Sequence, residues 1–136
     1  MMGPLSLSST GHTARIEEHS VIDNDKLADC LRRFASDRDW DQFHTPKNLA
    51  SALAVESSEL LEIFQWSRGQ SGWRDLQTPE IRSRTEEELA DILLYLIRFA
   101  DMAGIDLQHS AEMKLALNEQ KYPVGRFKGT DKKYNE

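Results

Sequence analysis

TPEIRSRTEEELADILLYLIRFADMAG, residues 78–104, is the segment from which the architecture of this chain can be built. Thr78 followed by Pro79 is a helix start: Thr can accept at the N-cap, and Pro loses nothing at the first helical position. Gly104 is a helix stop, because glycine takes the left-handed turn that ends helices. The spacing predicts a helix to about Ala103. Leu89, Ile92, Leu93, Leu96 and Ala100 form its apolar stripe, with Glu88, Asp91 and Tyr95 along the flank.

The same start signal occurs upstream at Thr45-Pro46 and predicts a helix to about Phe64 or Trp66. Its stripe is Leu49, Leu53, Leu60, Ile63 and Phe64, with Glu56 inside the stripe and Glu59 at its edge. Ser67 to Gln77, with Gly69 and Gly72, reads as the loop between these helices. Asp23 or Asn24 can cap an earlier helix to about Asp37, buried through Leu27, Cys30, Leu31 and Phe34, before a connector at Asp39–His44. Asp106 can cap a fourth helix through about Gln120, which Tyr122-Pro123 ends. No stretch alternates with period two. The expectation is an all-α, four-helix bundle-like domain over 21–136, preceded by a disordered leader at 1–20 that is rich in Ser, Thr, Gly and His.

At 136 residues the chain suits one domain with a real core. A net charge of −6 argues against a nucleic-acid partner. No apolar run approaches the roughly 20 residues that span a bilayer, so no membrane partner is expected. The lone Cys30 reads as an inert core thiol, which with the missing signal segment fits a cytoplasmic home. Leu93-Leu94-Tyr95-Leu96-Ile97 is apolar on more than one side, and four modest helices cannot cover it, so self-association is expected.

Glu56 with Glu59, and Glu88 with Asp91, are each spaced i, i+3, so each pair shares one helix face. An acid in an apolar setting must be paired, protonated or bound to a cation. Two such pairs offer hard oxygen donors that suit Mg²⁺, with Mn²⁺ as the substitute. A di-iron bundle would want Glu-x-x-His, which neither pair supplies; Asp106-x-x-His109 is the near match and stands alone. Solvated acids on two helices remain the competing interpretation. Trp40, Phe43, His44 and Trp66 at the ends of the second helix offer stacking surfaces for a flat ring. Lys114 and Asn118 share a face at i, i+4, and Lys121, Arg126, Lys128, Lys132 and Lys133 crowd the tail. No Walker A loop, nucleophile elbow or zinc-type cluster is present.

With these residues in hand, the chain resembles the MazG-like, all-α nucleoside triphosphate pyrophosphohydrolases, nearest their dCTP pyrophosphatase branch. Glu56, Glu59, Glu88 and Asp91 meet that family's Glu-x-x-Glu and Glu-x-x-Asp signature. The surrounding text adds specificity: Arg38-Asp39-Trp40-Asp41-Gln42-Phe43-His44, Phe64-Gln65-Trp66, Glu87 through Leu96, and Lys121-Tyr122-Pro123-Val124. The resemblance implies that the four acids hold Mg²⁺. It implies that Trp40, His44, Asn48, Trp66 and Tyr95 border the nucleotide, and that Lys114, Asn118 and Tyr122 contact phosphate and sugar. It implies hydrolysis of a (deoxy)nucleoside triphosphate, dCTP-like, to monophosphate and pyrophosphate. Glu56 and Glu59 would be the catalytic acids and Glu59 the base, with the cation itself an alternative activator of water. A homodimer or homotetramer follows by the same resemblance. Where some relatives carry a His on the first helix, this chain has Leu31, which loosens any inference about the base. A non-catalytic helical interaction module, and a related hydrolase preferring dUTP or modified nucleotides, stay open.

Overall fold

The protein is described by a computed structural model at residues 21–67, 69 and 72–135, so the expected leader at 1–20 lies outside the described residues. Helix α1 spans Asn24–Asp37, and the Asp23 carboxylate caps it by accepting from the Lys26 N–H at 3.0 Å. Helix α2 spans Pro46–Phe64, with Thr45 Oγ1 accepting from the Asn48 N–H. Helix α3 spans Pro79–Ala103 and ends at Gly104, whose φ of 67° is the left-handed turn expected there. Helix α4 spans Leu107–Lys121, with Asp106 accepting from the His109 N–H. A short α5, Val124–Phe127, follows Pro123. Among the described residues every element is helical, as the missing period-two pattern implied.

Two 3₁₀ turns and α5 lie where the sequence showed only connection. Asp41–Phe43 forms one turn before α2, and Gly72–Gln77 forms the other before α3. The first is tied to α2 by Asn48, whose Nδ2 donates to the Phe43 carbonyl at 2.8 Å. Such turns rest on local hydrogen bonds with no apolar period, so periodicity is blind to them.

Helices α2 and α3 form the main packed pair, and α1 and the Gly72–Gln77 turn lie against α3. The pair runs antiparallel. His44 before α2 meets Arg98 near the end of α3, while Phe64 and Leu61 share a cavity with Thr85 and Leu89 near its start. Among the described residues, helix α4 shares no extended packing with the other helices, and α1, α2 and α3 build the core between them.

The buried apolar residues are Ala28, Ala35, Leu49, Ile97 and Ala100. Three of the five are alanines, with Ala28 and Ala35 on α1, and Ile97 is the large side chain fully buried among them. The stripe expected on α1 is corrected accordingly: Leu27 and Leu31 are half-buried, while Phe34 and Cys30 are exposed. Cys30 is therefore a free, exposed thiol instead of a core one. On α3, Leu89 and Leu96 are exposed although they belong to the expected stripe. Among the described residues, α3 has cover on part of its circumference only. Met113, Leu115 and Leu117 on α4 are likewise exposed.

Candidate active site

Because α2 and α3 run antiparallel, the middles of the two helices face one another, and that is where the paired acids sit. One carboxylate oxygen each from Glu56, Glu59 and Glu88 lies within 4.8 Å of the others. Oε2 of Glu56 and Oε2 of Glu88 are shielded from solvent with no hydrogen-bond partner. Burial first, then the hydrogen bond and charge of Glu59, push the Glu56 carboxyl up to about 7. Glu88 is also raised, by burial first and then by the charge of Glu59. Asp91 acts on both through its charge but stands outside the close trio, and lines the neighbouring cavity.

Two orphaned carboxylate oxygens in an anionic cluster are an unmet electrostatic demand. Protons satisfy it at low pH, and a cation satisfies it otherwise. The donors are oxygen alone, with no imidazole or thiolate, which fits Mg²⁺ or Mn²⁺ better than zinc or iron. The arrangement can therefore hold a hard divalent ion through Glu56, Glu59 and Glu88, with Asp91 beside it.

The cavity next to the acids measures about 440 Å³ and lies between α1, the Asp41–Phe43 turn and α3. Its walls are largely apolar, with Phe34, Trp40 and Tyr95 supplying flat surfaces and Asp91 marking the acidic side. Trp40 meets Phe34 edge-on, ring centres 5.6 Å apart, and meets His44 at 6.5 Å. Arg98 also lines the cavity. Its Nε donates to His44 Nδ1 at 3.0 Å, and its Nη2 pairs with Asp41 Oδ1 at 2.5 Å. Burial, and then the charge of Arg98, lower the His44 pKa, which favours the neutral imidazole.

The structure thus gathers Trp40, His44, Tyr95 and Asp91 at one cavity and sets it beside Glu56, Glu59 and Glu88. Asn48 is exposed, and its amide nitrogen is engaged by the Phe43 carbonyl, so it supports the turn that carries Trp40 and His44. Trp66 is 87% exposed at the far end of α2. Sixteen residues of helix, about 24 Å, run from Asn48 to Phe64, and Trp66 lies beyond that end, so one chain does not bring Trp66 to the Trp40 cavity. Lys114 is exposed on α4, and Asn118 and Tyr122 are half-buried there. Tyr122 packs edge-on against Phe127 and Tyr134. None of these three lines the cavity.

Arg98 and Asp41 escaped the sequence reading. The signal was an arginine inside the apolar run Leu93–Phe99, where a charge must be compensated. Its partners come from a turn 54 and 57 residues away, which no local pattern connects.

The family description "MazG-like" matches residues 52–136. The chain is 40% identical over 131 residues to dCTP pyrophosphatase 1 of Bos taurus, covering 96% of this chain and 76% of that protein. It is 39% identical over 107 residues to dCTP pyrophosphatase 1 of Homo sapiens, covering 76% of this chain and 61% of that protein, so the human relative is considerably longer than the match. Among solved structures, a pyrophosphatase from Archaeoglobus fulgidus superposes with a TM-score of 0.69 at 40% identity, over 76% of this chain and 94% of that one.

Proposed function

The chain belongs to the MazG-like family, and from that premise we propose that it is a nucleoside triphosphate pyrophosphohydrolase acting on dCTP or a close relative of it. The reaction is triphosphate plus water giving monophosphate plus pyrophosphate. The water oxygen bonds to the α-phosphorus, and the bridging oxygen between α and β leaves with pyrophosphate. The observation that carries the reading is the pair of orphaned oxygens on Glu56 and Glu88 beside an aromatic-walled cavity.

Glu56, Glu59, Glu88 and Asp91 are the residues that would hold Mg²⁺, or Mn²⁺ in its place. Held there, such an ion would supply positive charge to offset that of the triphosphate. Glu59 takes the proton from the attacking water: it is the exposed member of the close trio, and water reaches it most easily. Glu56 is the second catalytic carboxylate, set within the apolar stripe of α2 and within 4.8 Å of oxygens of Glu59 and Glu88, where it would serve as a ligand. Trp40 and Tyr95 accept the base by stacking, and His44 faces its edge. The nucleotide itself brings the negative charge, so no nucleic acid or membrane is needed as partner.

Trp66, Lys114, Asn118 and Tyr122 join the same site from a second copy of the chain. Support comes from the exposed apolar surface of α3 and α4, which one chain leaves uncovered, and from the distance of Trp66 from its own cavity. A homodimer, or a homotetramer made from dimers, supplies that cover. A cytoplasmic location suits an enzyme of nucleotide pools, and no described helix is long and apolar enough to cross a membrane.

The test is incubation with each common dNTP and NTP, with and without Mg²⁺, the products separated by anion exchange. Magnesium-dependent monophosphate and pyrophosphate, fastest from dCTP, is the expected result. Faster turnover of dUTP or a modified nucleotide would move the base preference. No turnover of any substrate would favour a helical interaction module.

A further inference from the structure

Arg98 is the buried charged residue among those described, with a side chain 6% exposed. Its surroundings neutralise it: Asp41 pairs with Nη2, and Asp101 lies 4.0 Å from Nη1. Asp101 is in turn held by Arg32. Two arginines and two aspartates therefore fix the guanidinium between the Asp41–Phe43 turn, α3 and α1. Arg98 is more than a clamp, because its Nε–H is spent on an imidazole.

A guanidinium has five N–H donors and no acceptor, and it does not deprotonate. The nitrogen that receives Nε–H, His44 Nδ1 at 3.0 Å, must therefore present a lone pair. A neutral imidazole with its lone pair on Nδ1 carries its proton on Nε2. An imidazolium would set N–H against N–H, beside a buried positive charge. No hydrogen bond to Nε2 is made among the described residues, and Trp40 stands against the ring at 63°. His44 and Arg98 both border the aromatic cavity.

We propose that Arg98 is a positioning residue that fixes His44 as the Nε2–H tautomer, so that the imidazole offers the cavity one permanent hydrogen-bond donor for an acceptor on a nucleobase edge. A carbonyl oxygen or an unprotonated ring nitrogen fits this donor, and an exocyclic amine does not. The proposal deepens the hydrolase reading, since it takes the cavity as the base subsite. It assigns the donor to His44 at a place where Leu31 on α1 cannot supply one.

The experiment is long-range proton–nitrogen correlation on the whole protein with nitrogen-15 histidine, at neutral pH. His44 is expected to show a protonated Nε2 and an unprotonated Nδ1. A protonated Nδ1, or an imidazolium, overturns the proposal. Arg98→Lys keeps the charge and removes the Nε donor, and a loss of the fixed tautomer is expected. The same tautomer in that variant overturns the role of Arg98.

Binding completes the test, read by tryptophan fluorescence with dCMP and with deoxyribose 5-phosphate as probes. His44→Phe keeps a flat ring and removes the donor. It should weaken dCMP binding about 3- to 10-fold, the worth of one neutral hydrogen bond, and leave deoxyribose 5-phosphate unchanged. Equal effects on both probes, or none on dCMP, overturn the assignment. The two readings fail separately. An Nδ1–H tautomer in an enzyme that hydrolyses dCTP sinks this proposal alone. A wild-type protein that turns over no triphosphate, yet shows the Nε2–H tautomer and base-dependent binding, sinks the hydrolase alone.

Discussion

Arg32 on α1 grips Asp101 near the end of α3 through two parallel hydrogen bonds, 2.8 Å from Nε to Oδ2 and 2.5 Å from Nη2 to Oδ1. This fork joins helices otherwise held by small apolar residues. The Arg32 hydrogen bond, opposed by burial, holds the Asp101 carboxyl below the ordinary carboxylate range. An acid with a depressed pKa stabilises the fold above its unfolded pKa and loses that contribution as pH falls through the folded value. Asp101→Asn should lower Tm by a few degrees at neutral pH. The difference from wild type should shrink as thermal melts move from about pH 6 to about pH 3.

Glu56→Gln replaces a shielded acid with a neutral group of the same shape. Turnover should fall about 100-fold or more, since the variant loses both an anionic ligand and a charged catalytic acid. The fold should survive, and in metal-free buffer at about pH 8 the variant should melt at or above the wild-type temperature, because a buried negative charge has gone. Steady-state kinetics and a thermal melt on one preparation check both halves. Full activity in this variant would remove Glu56 from the site.

The raised pKa of Glu56 makes metal-free stability depend on pH with a definite sign. Between 4.5, its ordinary value, and about 7, the folded protein keeps a proton that the unfolded chain has lost. Unfolding then releases that proton, so stability falls as pH rises through this window. Mg²⁺ should reverse the trend by taking the proton's place. At a concentration about 100 times its Kd, it should add about 2.7 kcal/mol. Melting curves across this range, with and without Mg²⁺, show whether the two ligands compete.

Trp66 and Trp40 should separate by mutation. Trp66→Ala removes a side chain that is 87% exposed and should change stability by less than about 0.5 kcal/mol. Its effect should appear in KM, because stacking on a base is worth about 1–3 kcal/mol. Trp40→Ala also loses the edge contact with Phe34, so it should lower Tm as well. Parallel kinetics and melts of the two variants give the comparison.

Helix α4 should be an assembly element. Leu115→Asp places a charge on a side chain already 63% exposed in one chain, so a monomeric fold would tolerate it. Light scattering should show wild type as a dimer or tetramer and the variant shifted toward monomer. A wild-type monomer at micromolar concentration would contradict this.

The legible parts of the chain were those written in local chemistry. Thr45-Pro46, Thr78-Pro79, Asp106 and Gly104 mark helix ends, and the structure places the ends there; Thr45 and Asp106 cap through their side chains, whereas Thr78 makes no side-chain cap hydrogen bond and its start rests on Pro79. The i, i+3 acids were readable because helical spacing fixes which side chains share a face. Burial was harder to read. Phe34, Leu89 and Leu96 match an apolar period, yet their exposure depends on what other surface is present. Asn48 could be placed near the site by sequence but not given its job of holding the Phe43 carbonyl. The Arg98–His44–Asp41 cluster is a tertiary fact with no spacing to betray it.

The most direct test follows dCTP and Mg²⁺ with this protein in water enriched in oxygen-18, by phosphorus NMR. The account predicts dCMP and pyrophosphate, with the heavy oxygen on the dCMP phosphate, as attack at the α-phosphorus requires. Diphosphate with free phosphate, or label on the pyrophosphate, would contradict it.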